Sequence, residues 1–582
     1  MTVDLSRVTD FRSSSDISVA SREAFGEPTV SDIDEVTGVV PTSSPEHSFT
    51  CRLPPELLAA IFLEYMQQYE GISCYLRSVP PWVNVSYVCR YWHGVALNCA
   101  SLWTHLFFVS SEWVDELLKR SKTAPLIIHV DFYDPKSDPG QIRPLEKALG
   151  HMERIQDLWI DCDCSKGALD TIHAGLTAAA PLLRSLHLST HEESEYHFII
   201  REGTLPGAGL RKLHLEPCHV DWSSPIFNGL TELSLSYVMN DPTKCWDGLL
   251  LLLSQLPLRQ LRLDNILPPA NITFEDSFIN TQNTTNVSFC QLEKLTLTDP
   301  IPWVTALLAR LEFPRSTIVQ LKCNCNNPAE ISQEISMFLP FMASRFSSHP
   351  SLPQSTPPPQ SMLRSLSFRR SDLWDATWTV KCGTSNPANK NGINNVSLEE
   401  RDLDSQFPLQ IVLTQMDECV SLGGIIPFLH ALPMTHLNAI TLYSDLEGPF
   451  DDQNPWTEVF WDAPELRIVE VGRGCANMFI HALQPRGGVI FAPTLTDIRF
   501  KEIVFNRRKC RGAEESHEYG TGCLRCLRNA LASRTEAGSV LQRLFLNNCP
   551  GIVERDITKL SKMVGRVEWV ITEGRTGSTE WL

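Results

Sequence analysis

The sequence predicts a small α module followed by an α/β repeat solenoid, and three observations support this fold class. Apolar side chains recur at helical spacing within residues 53–103. Beyond residue 150, a leucine pattern recurs at intervals that lie between 20 and 34 residues in its first block, which is typical of stacked repeats. The chain of 582 residues is 43% hydrophobic and 20% charged, a balance that can supply a large buried core.

Residues 1–50 differ in composition from the rest of the chain. They hold nine acidic side chains, three basic ones and sixteen Ser or Thr residues, with no sustained apolar period. Such a segment cannot bury enough apolar surface to offset the entropy that it would lose on ordering. We therefore expect residues 1–50 to form a disordered, acidic, Ser/Thr-rich tail.

Residues 51–110 are predicted to form a helical module. Two prolines open the run 54–65, whose apolar residues lie one, four, five and eight positions apart, as on one face of a helix. A second apolar stripe over 85–96 predicts a second helix, and a third short element is expected to begin at 101–103. Because such short helices cannot hide all of their apolar surface alone, they need a partner.

From about residue 125, the pattern apolar-x-x-apolar-x-apolar recurs along the chain. The last two apolar residues of each unit lie two apart, so both face one side of a short strand. The stretches between the units have helical spacing, and one strand and one helix per unit predict a curved parallel sheet with helices outside. The units begin at Ile155, Leu183, Leu210, Leu230, Leu258, Leu292, Ile318, Leu363, Leu437, Leu466, Leu495 and Leu541.

A proline-rich stretch divides the repeats into a first block at 111–346 and a second block at 362–582. Residues 347–361 carry five prolines, which predict a flexible or extended linker. Residues 380–408 hold few apolar side chains, and 505–538 combine basic and acidic runs. We expect both of these segments to be insertions in the second block.

The helical module resembles an F-box. The match consists of LPxELLxxIF at 53–62, VCRxW at 88–92 and LW at 102–103, and the Pro-Pro-Trp form at 80–82 is similar to many fungal F-box proteins. The connection 67–82 is longer than is usual in that family. The resemblance implies that the module docks onto the small Skp-type adaptor of a cullin-based ubiquitin ligase. The adaptor-binding residues that it implies are Leu53, Pro54, Leu57, Leu58, Ile61, Phe62, Val88 and Trp92.

The repeats resemble the leucine-rich-repeat class, and two of them, at 210–218 and 541–549, match its longer LxxLxLxxC form. The resemblance implies that the repeat domain holds a protein substrate. In each unit, the residue between the last two leucines points away from the core, so these residues are predicted to line the concave face. In the clearest repeats the predicted substrate-contacting residues are His214, Ser234, Arg262 and Thr296.

The sequence therefore predicts a protein-binding substrate adaptor and not an enzyme. Neither a glycine-rich phosphate loop nor a GxSxG nucleophile elbow is present, and we expect no cofactor. The alternative hypothesis is a repeat scaffold with a degenerate F-box that takes no part in ubiquitin transfer. Capture of the Skp-type adaptor separates the two hypotheses.

The formal charge of −18 argues against binding to nucleic acid or to a membrane surface. The chain has no run of about 18 apolar residues, and its first residues lack the apolar core of a signal peptide. We therefore expect a cytoplasmic or nuclear protein with free thiols. One set of soft ligands, spread over seventeen residues, could hold zinc, although its irregular spacing favours free thiols. That set is Cys510, His517, Cys523 and Cys526.

Overall fold

The structure is a computed structural model, and it describes most of the chain from residue 53 to residue 571. The predicted tail 1–50 and the predicted linker 347–361 lie outside the described residues. The described ranges are 53–68, 80–108, 110–132, 139–162, 166–190, 197–238, 242–266, 286–324, 331–346, 362–371, 377–384, 409–414, 429–430, 432–444, 460–473, 475–485, 488–506 and 521–571.

The described residues fall into two compact units. The helical unit holds residues up to Ala124 together with Pro139–Leu145, and the sheet unit holds the remainder. The α-helices, in chain order, are α1 Pro55–Gln67, α2 Arg90–Asn98, α3 Ser111–Arg120, α4 Pro139–Leu149, α5 Lys166–Gly175, α6 Pro242–Gln255, α7 Ile301–Leu308, α8 Ile331–Ser336, α9 Leu339–Phe346, α10 Ala476–Ala482, α11 Leu524–Glu536 and α12 Glu554–Leu560. Short 3₁₀-helices lie at Pro81–Tyr87, Ala100–Trp103, Met152–Arg154, Pro225–Phe227, Met434–His436 and Phe460–Asp462.

The helical unit corrects the prediction of a single second helix over 85–96. A 3₁₀-helix ends at Tyr87, and α2 begins only at Arg90. Between them Cys89 is extended, with φ −162° and ψ 167°, and its Sγ accepts a hydrogen bond from the backbone N–H of Trp92 at 3.5 Å. Because Cys89 caps α2 in this way, the helix is interrupted at this residue, although the apolar stripe in the sequence continues through it.

Aromatic side chains form the core of the helical unit. The rings of Phe62 on α1 and Trp92 on α2 lie 5.1 Å apart. Trp82 and Trp103, both fully buried, meet edge to face at 5.5 Å. The indole N–H of Trp103 donates to the carbonyl oxygen of Ala96 at 2.8 Å, which satisfies its polar atom inside this core.

The sheet unit is built on one large, mostly parallel sheet. Many of its strands follow one another in space in chain order, and three satellite pairs, β5 with β7, β10 with β12 and β20 with β21, are also parallel. The strands are β1 His105–Leu106, β2 Leu126–Phe132, β3 Ile155–Cys162, β4 Ser185–Ser189, β5 Phe198–Ile200, β6 Lys212–Glu216, β7 Cys218–Val220, β8 Glu232–Ser236, β9 Gln260–Asp264, β10 Val287–Ser288, β11 Lys294–Thr298, β12 Leu311–Glu312, β13 Ile318–Asn324, β14 Ser365–Ser371, β15 Thr377–Gly383, β16 Leu409–Thr414, β17 Ala439–Ser444, β18 Ile468–Arg473, β19 Asp497–Lys501, β20 Val504–Asn506, β21 Thr521–Cys523, β22 Arg543–Asn547 and β23 Arg566–Val570.

In its first half, the sheet runs β2-β3-β4-β6-β8-β9-β11-β13, with every neighbouring pair parallel. The predicted leucines of neighbouring strands are paired, as Leu213 with Leu233 and Leu233 with Leu261. Both members of the strand motif are buried in each of these strands. Parallel ladders of this kind bury one side chain of every two on the same face, so the leucine pattern sets the register of the sheet.

The second half of the sheet departs from chain order. β13 pairs with β16, and not with β14 as a simple succession of repeats predicts. β15 runs antiparallel to both β14 and β16, and β14 then pairs in parallel with β17. The three strands β14, β15 and β16 thus form a meander that enters the sheet in reversed order. From β17 the order β17-β18-β19-β22-β23 is again parallel.

This meander also corrects the prediction that 380–408 is an exposed insertion. Residues 380–383 belong to β15, where Val380 and Cys382 are buried, while 385–408 lie outside the described residues. Within the predicted insertion 505–538, the structure places the end of β20, β21 and α11, whereas 507–520 are not described. Polar composition predicts an insertion in both segments, because it does not reveal a short paired strand.

A common turn follows several strands of the sheet. Tyr237, Asn265, Glu502 and Asn548 each come directly after a strand and have a positive φ, between 46° and 56°. Each donates its backbone N–H to the last residue of the next strand in the sheet, at 2.7–2.9 Å. Positive φ is uncommon outside glycine, and here the additional interstrand hydrogen bond supports it. Among the helices that the structure describes, none is both long and apolar enough to cross a lipid bilayer.

Candidate interaction surfaces

Helix α1 carries apolar side chains on two different faces. Leu58, Phe62 and Met66, four residues apart, are buried in the helical unit. Leu57 and Ile61, also four apart, are 55% and 49% exposed. The sequence pattern places Leu57, Leu58, Ile61 and Phe62 on one stripe, but 100° of helical rotation per residue separates the exposed pair from the buried pair. The first set holds the unit together, and the second presents large apolar side chains to solvent.

A second exposed apolar segment lies just before α2. Tyr87 and Val88 are both at least half exposed, although each is a large apolar side chain. Val88 belongs to the predicted adaptor-binding set, whereas Tyr87 does not. The apolar stripe gives no signal for Tyr87, whose exposure follows from its place at the end of the 3₁₀-helix, directly before the break at Cys89. Exposed apolar groups of this size are characteristic of surfaces that a partner covers.

Other predicted adaptor-binding residues hold α1 and α2 in place. Trp92 packs against Phe62 and is only partly exposed. The backbone oxygen of Leu53 accepts a hydrogen bond from the Tyr91 hydroxyl at 2.6 Å, which fixes the start of α1 against α2. Pro54 is exposed and forms the N-cap of α1. The predicted set therefore divides into exposed residues, such as Leu57, Ile61 and Val88, and residues that position them.

A groove of about 440 Å³ lies where the first turns of α1 approach α2. Gly94 in its wall leaves open space, since a Cβ there would meet no atom within 4 Å. The groove lies on a different side of α1 from Leu57 and Ile61. Its lining residues are Pro55, Glu56, Ala59, Arg90, Tyr91, Gly94, Val95, Asn98 and Cys99.

In the sheet unit, the four predicted substrate-contacting residues occupy one continuous register. His214 pairs with Ser234, Ser234 with Arg262, and Arg262 with Thr296. Neighbouring parallel strands lie about 4.8 Å apart, so the four residues form a row across the strands. This row lies on the polar face of the sheet, opposite the buried leucines.

The four residues differ in what they present. Thr296 is buried, and its Oγ1 donates to Oε1 of Gln320 at 3.4 Å, so it offers little surface. Arg262 is half exposed, and its guanidinium bonds Oδ2 of Asp264 at 2.5 Å. His214 lies 3.3 Å from a carboxylate oxygen of Glu216. The position of the residues agrees with the predicted row, whereas the expectation that Thr296 is available to a partner is wrong.

The same register continues toward β2 through an aromatic row that the sequence patterns missed. His129 pairs with Trp159, Trp159 with His187, and His187 with His214. The rings of Trp159 and His187 stack at 3.6 Å, and those of His187 and His214 stack at 4.0 Å with an interplanar angle of 1°. Each aromatic residue lies between the two leucine-type positions of its strand, so extending the substrate row by three units would have found it.

Burial and hydrogen bonding change the acid–base properties of this face. Burial, together with the neighbouring His214 and His129, lowers the pKa of His187 to about 2. The hydrogen bond from His214 lowers the pKa of Glu216, and so favours its carboxylate form. At neutral pH the face therefore presents a neutral His187 beside a charged carboxylate.

The four soft side chains that could hold zinc lie only partly within the described residues. Cys510 and His517 lie outside them. Cys523 is the N-cap of α11, and its Sγ accepts a hydrogen bond from the backbone N–H of Cys526 at 3.3 Å. Within the residues that the structure describes, no group of three or more His, Cys, Asp or Glu side chains is placed to hold a metal ion.

Comparison with known families identifies the helical unit. Residues 50–109 match the F-box-like family model, and this range contains α1, the 3₁₀-helices at 81–87 and 100–103, and α2. F-box domains generally bind Skp-type adaptors in SCF ubiquitin ligases. No curated protein matches the chain.

Proposed function

We propose, from the premise that residues 50–109 form an F-box-like domain, that this chain is a substrate-recognition adaptor of a cullin-based, SCF-type ubiquitin ligase. In this proposal, the F-box-like domain docks onto a Skp-type adaptor and, through it, onto a cullin. The chain is an F-box protein of the fungal type, and its sheet unit is a leucine-rich-repeat solenoid that holds a protein substrate. The chain itself performs no catalytic step, and it acts in the cytoplasm or nucleus.

The observation that carries the proposal is the exposed apolar face of the F-box-like domain. Leu57 and Ile61 lie one helical turn apart on α1, and both leave about half of their surface in solvent. Fully burying a Leu or Ile side chain is favourable by roughly 1.5–3 kcal/mol. An adaptor that covers these side chains and Val88 gains most of the burial free energy that they do not contribute in the isolated domain.

The architecture of the sheet unit supports the second half of the proposal. Its leucines are buried in the core and cannot contact a substrate, so the polar residues between them are the ones that can recognise it. These residues stand in register from His129 to Thr296, and further strands extend the row. Stacked strand-and-helix repeats use such extended faces to bind proteins.

Reconstitution tests the proposal directly. The full chain is mixed with a purified Skp-type adaptor and the matching cullin, and co-elution in size-exclusion chromatography is measured. We expect one complex that contains all three proteins, and its loss when residues 50–109 are deleted. The same complex, supplied with the ubiquitin-transfer enzymes, should form ubiquitin chains on the F-box-containing chain itself or on a bound substrate.

Two results would contradict the proposal in different ways. If no complex with the Skp-type adaptor forms while the chain remains folded by circular dichroism, the docking step is wrong. If the adaptor binds but the cullin is not recruited and no ubiquitin is transferred, the chain is a scaffold with an F-box-like domain outside ubiquitin ligation. Deletion of 50–109 should leave the melting transition of the sheet unit in place, which serves as the folding control.

A further inference from the structure

A second row of side chains borders the aromatic row on the polar face of the sheet. We name it the carboxylate row, and it consists of Asp161, Ser189, Glu216, Ser236 and Asp264. Asp161 pairs with Ser189, Ser189 with Glu216, and Ser236 with Asp264. Leu215 pairs with Leu235, so Glu216 and Ser236 also occupy neighbouring positions. Carboxylates thus stand on every second strand, with a serine between them.

Two side chains of this row are short of hydrogen-bond donors. Asp264 and Ser189 are each more than nine-tenths buried. Among the described residues, neither Asp264 Oδ1 nor Ser189 Oγ has a hydrogen-bond partner. A buried polar atom without a hydrogen-bond partner is costly, so the row retains unsatisfied hydrogen-bonding capacity.

The chain itself shows that a guanidinium fits this row. Arg262 lies two residues before Asp264 on β9, and its Nε and Nη2 lie 2.6 and 2.5 Å from Oδ2 of Asp264. A guanidinium carries five donors in a planar fork, and carboxylates accept it with charge-assisted hydrogen bonds. The same chemistry, supplied by a partner, suits a carboxylate of the row that remains accessible, such as Glu216, whose side chain is 30% exposed.

The aromatic row forms a wall along one side of the carboxylate row. Trp159 is exposed although it is stacked on His187. His129 beside Trp159 and His214 beside His187 extend the wall over four strands. Surfaces lined by aromatic side chains bind peptides in the polyproline II conformation, whose low entropy cost favours such docking. A carboxylate row beside an aromatic wall therefore suits a peptide that carries both proline and arginine.

Charge limits this surface to the first half of the sheet. Beyond β9, the same position on the strands is occupied by Lys322 on β13, Arg369 on β14 and Lys501 on β19. A cationic peptide is attracted to the carboxylates of β3 to β9 and repelled by these cations.

The spacing of the carboxylates defines the spacing of the basic side chains. Carboxylates on every second strand lie about 9.6 Å apart, since parallel neighbours are about 4.8 Å apart. A polyproline II helix rises about 3.1 Å per residue with three residues per turn, so every third side chain returns to the same side after about 9.3 Å. An arginine at every third position therefore meets Asp161, Glu216 and Asp264 in turn.

We propose that the carboxylate row and its aromatic wall bind a proline-containing, extended segment of the substrate protein with arginine at every third residue. This inference names the substrate class for the proposed function and rests on that function. Lysine is a weaker ligand, because its ammonium group lacks the planar fork that contacts both oxygens of a carboxylate.

Fluorescence anisotropy with the full-length chain tests this proposal. The probe is a fluorescein-labelled peptide of four Arg-Pro-Pro repeats, and a peptide of the same composition with its four arginines clustered is the comparison. The row variant is Glu216→Gln with Asp264→Asn. The matched control is Glu293→Gln with Glu536→Gln, which removes the same charge from exposed positions outside the row. Trp159→Ala tests the wall and leaves every carboxylate in place.

We expect the spaced peptide to bind the wild-type chain at least tenfold more tightly than the clustered peptide. The row variant should weaken this binding at least tenfold, Trp159→Ala should weaken it severalfold, and the control should change it less than twofold. Equal affinity for the two peptides, equal losses in row and control variants, or no binding to the wild-type chain would each overturn the proposal. Thermal melting of every variant identifies any loss that arises from unfolding.

Skp-type adaptor capture by the same protein preparations separates this inference from the proposed function. Normal adaptor capture without peptide binding removes the peptide class and leaves the ligase role intact. Peptide binding that depends on the row, in a chain that fails to capture the adaptor, supports the surface and removes its assignment to a ligase substrate.

Discussion

The helical unit and the sheet unit distribute their apolar side chains in opposite ways. On α1, buried Leu58 and Phe62 alternate with exposed Leu57 and Ile61, so the domain leaves large apolar groups in solvent. On β6 and β8, the leucines are all buried, and the side chains between them are polar. The helical unit is thus suited to a partner that buries apolar surface, and the sheet unit to one that is recognised by charge and hydrogen bonds.

The largest effect on this comparison is expected at Phe62. Phe62→Ala empties a fully buried position against Trp92, and substitutions of this type cost about 3–5 kcal/mol. We expect amide hydrogen exchange of Arg90–Asn98 to accelerate accordingly, while exchange in β6 and β8 stays unchanged. Leu57→Ala is the control, since its half-exposed side chain should change the exchange of α2 little. Equal effects of the two substitutions would mean that the faces of α1 are not distinct.

The second effect is a pH dependence of the sheet unit. The pKa of His187 is about 2 in the folded chain, against about 6.5 in an unfolded one, so below pH 6.5 the unfolded chain binds a proton that the folded chain does not. Stability should therefore fall as pH falls, by about 2 kcal/mol between pH 7 and pH 5. His187→Phe retains an aromatic ring and removes the titratable group, so this part of the pH dependence should disappear.

Urea unfolding at pH 7 and pH 5 measures that dependence. Histidines away from position 187 contribute equally to both proteins, so the difference between wild type and His187→Phe reports on His187 together with its neighbours His214 and His129. A variant that loses as much stability as the wild type on acidification would show that His187 is readily protonated in the folded sheet. The stacked row would then be a solvated set of histidines.

The smallest effect is expected at Thr296. Its hydroxyl is buried and makes only a 3.4 Å hydrogen bond to Gln320, so Thr296→Val should change the free energy of unfolding by about 0.5 kcal/mol or less. Binding of the Arg-Pro-Pro peptide should also stay within twofold of wild type. A tenfold loss of peptide binding would place Thr296 in the recognition surface and extend that surface beyond β9.

The leucine pattern predicted the strands and their register better than it predicted their order. From β3 onward, each strand of the first half contains the two predicted apolar positions, because period-two burial is a local property of the chain. The pattern predicts no unit at β2. The reversed order of β14 and β16 depends on contacts between distant parts of the chain. Leu366 has the same local pattern as Leu213, yet the strands beside it are set by the meander. Polar composition likewise hid Val380 and Cys382 of β15.

At the candidate sites, the sequence predicted which residues belong together and not which of them are exposed. Leu57 and Leu58 are adjacent in the same motif, and only the packing of α1 against α2 decides that one is buried. The break at Cys89 depends on a side-chain cap that an apolar stripe does not record. The stacked rings of Trp159, His187 and His214 arise from strand pairing, so no single repeat reveals them.

The central claim is that the exposed face of α1 docks the adaptor while its buried face holds the domain together. Calorimetric titration of a Skp-type adaptor into Leu57→Ala/Ile61→Ala tests it most directly, with Leu251→Ala/Val489→Ala as a control at equally exposed apolar positions of the sheet unit. Losing two half-exposed side chains from the interface should cost about 2 kcal/mol, or about 30-fold in affinity, without changing hydrogen exchange in α2. The control should bind as wild type does. Wild-type affinity of the folded Leu57→Ala/Ile61→Ala chain would contradict the claim.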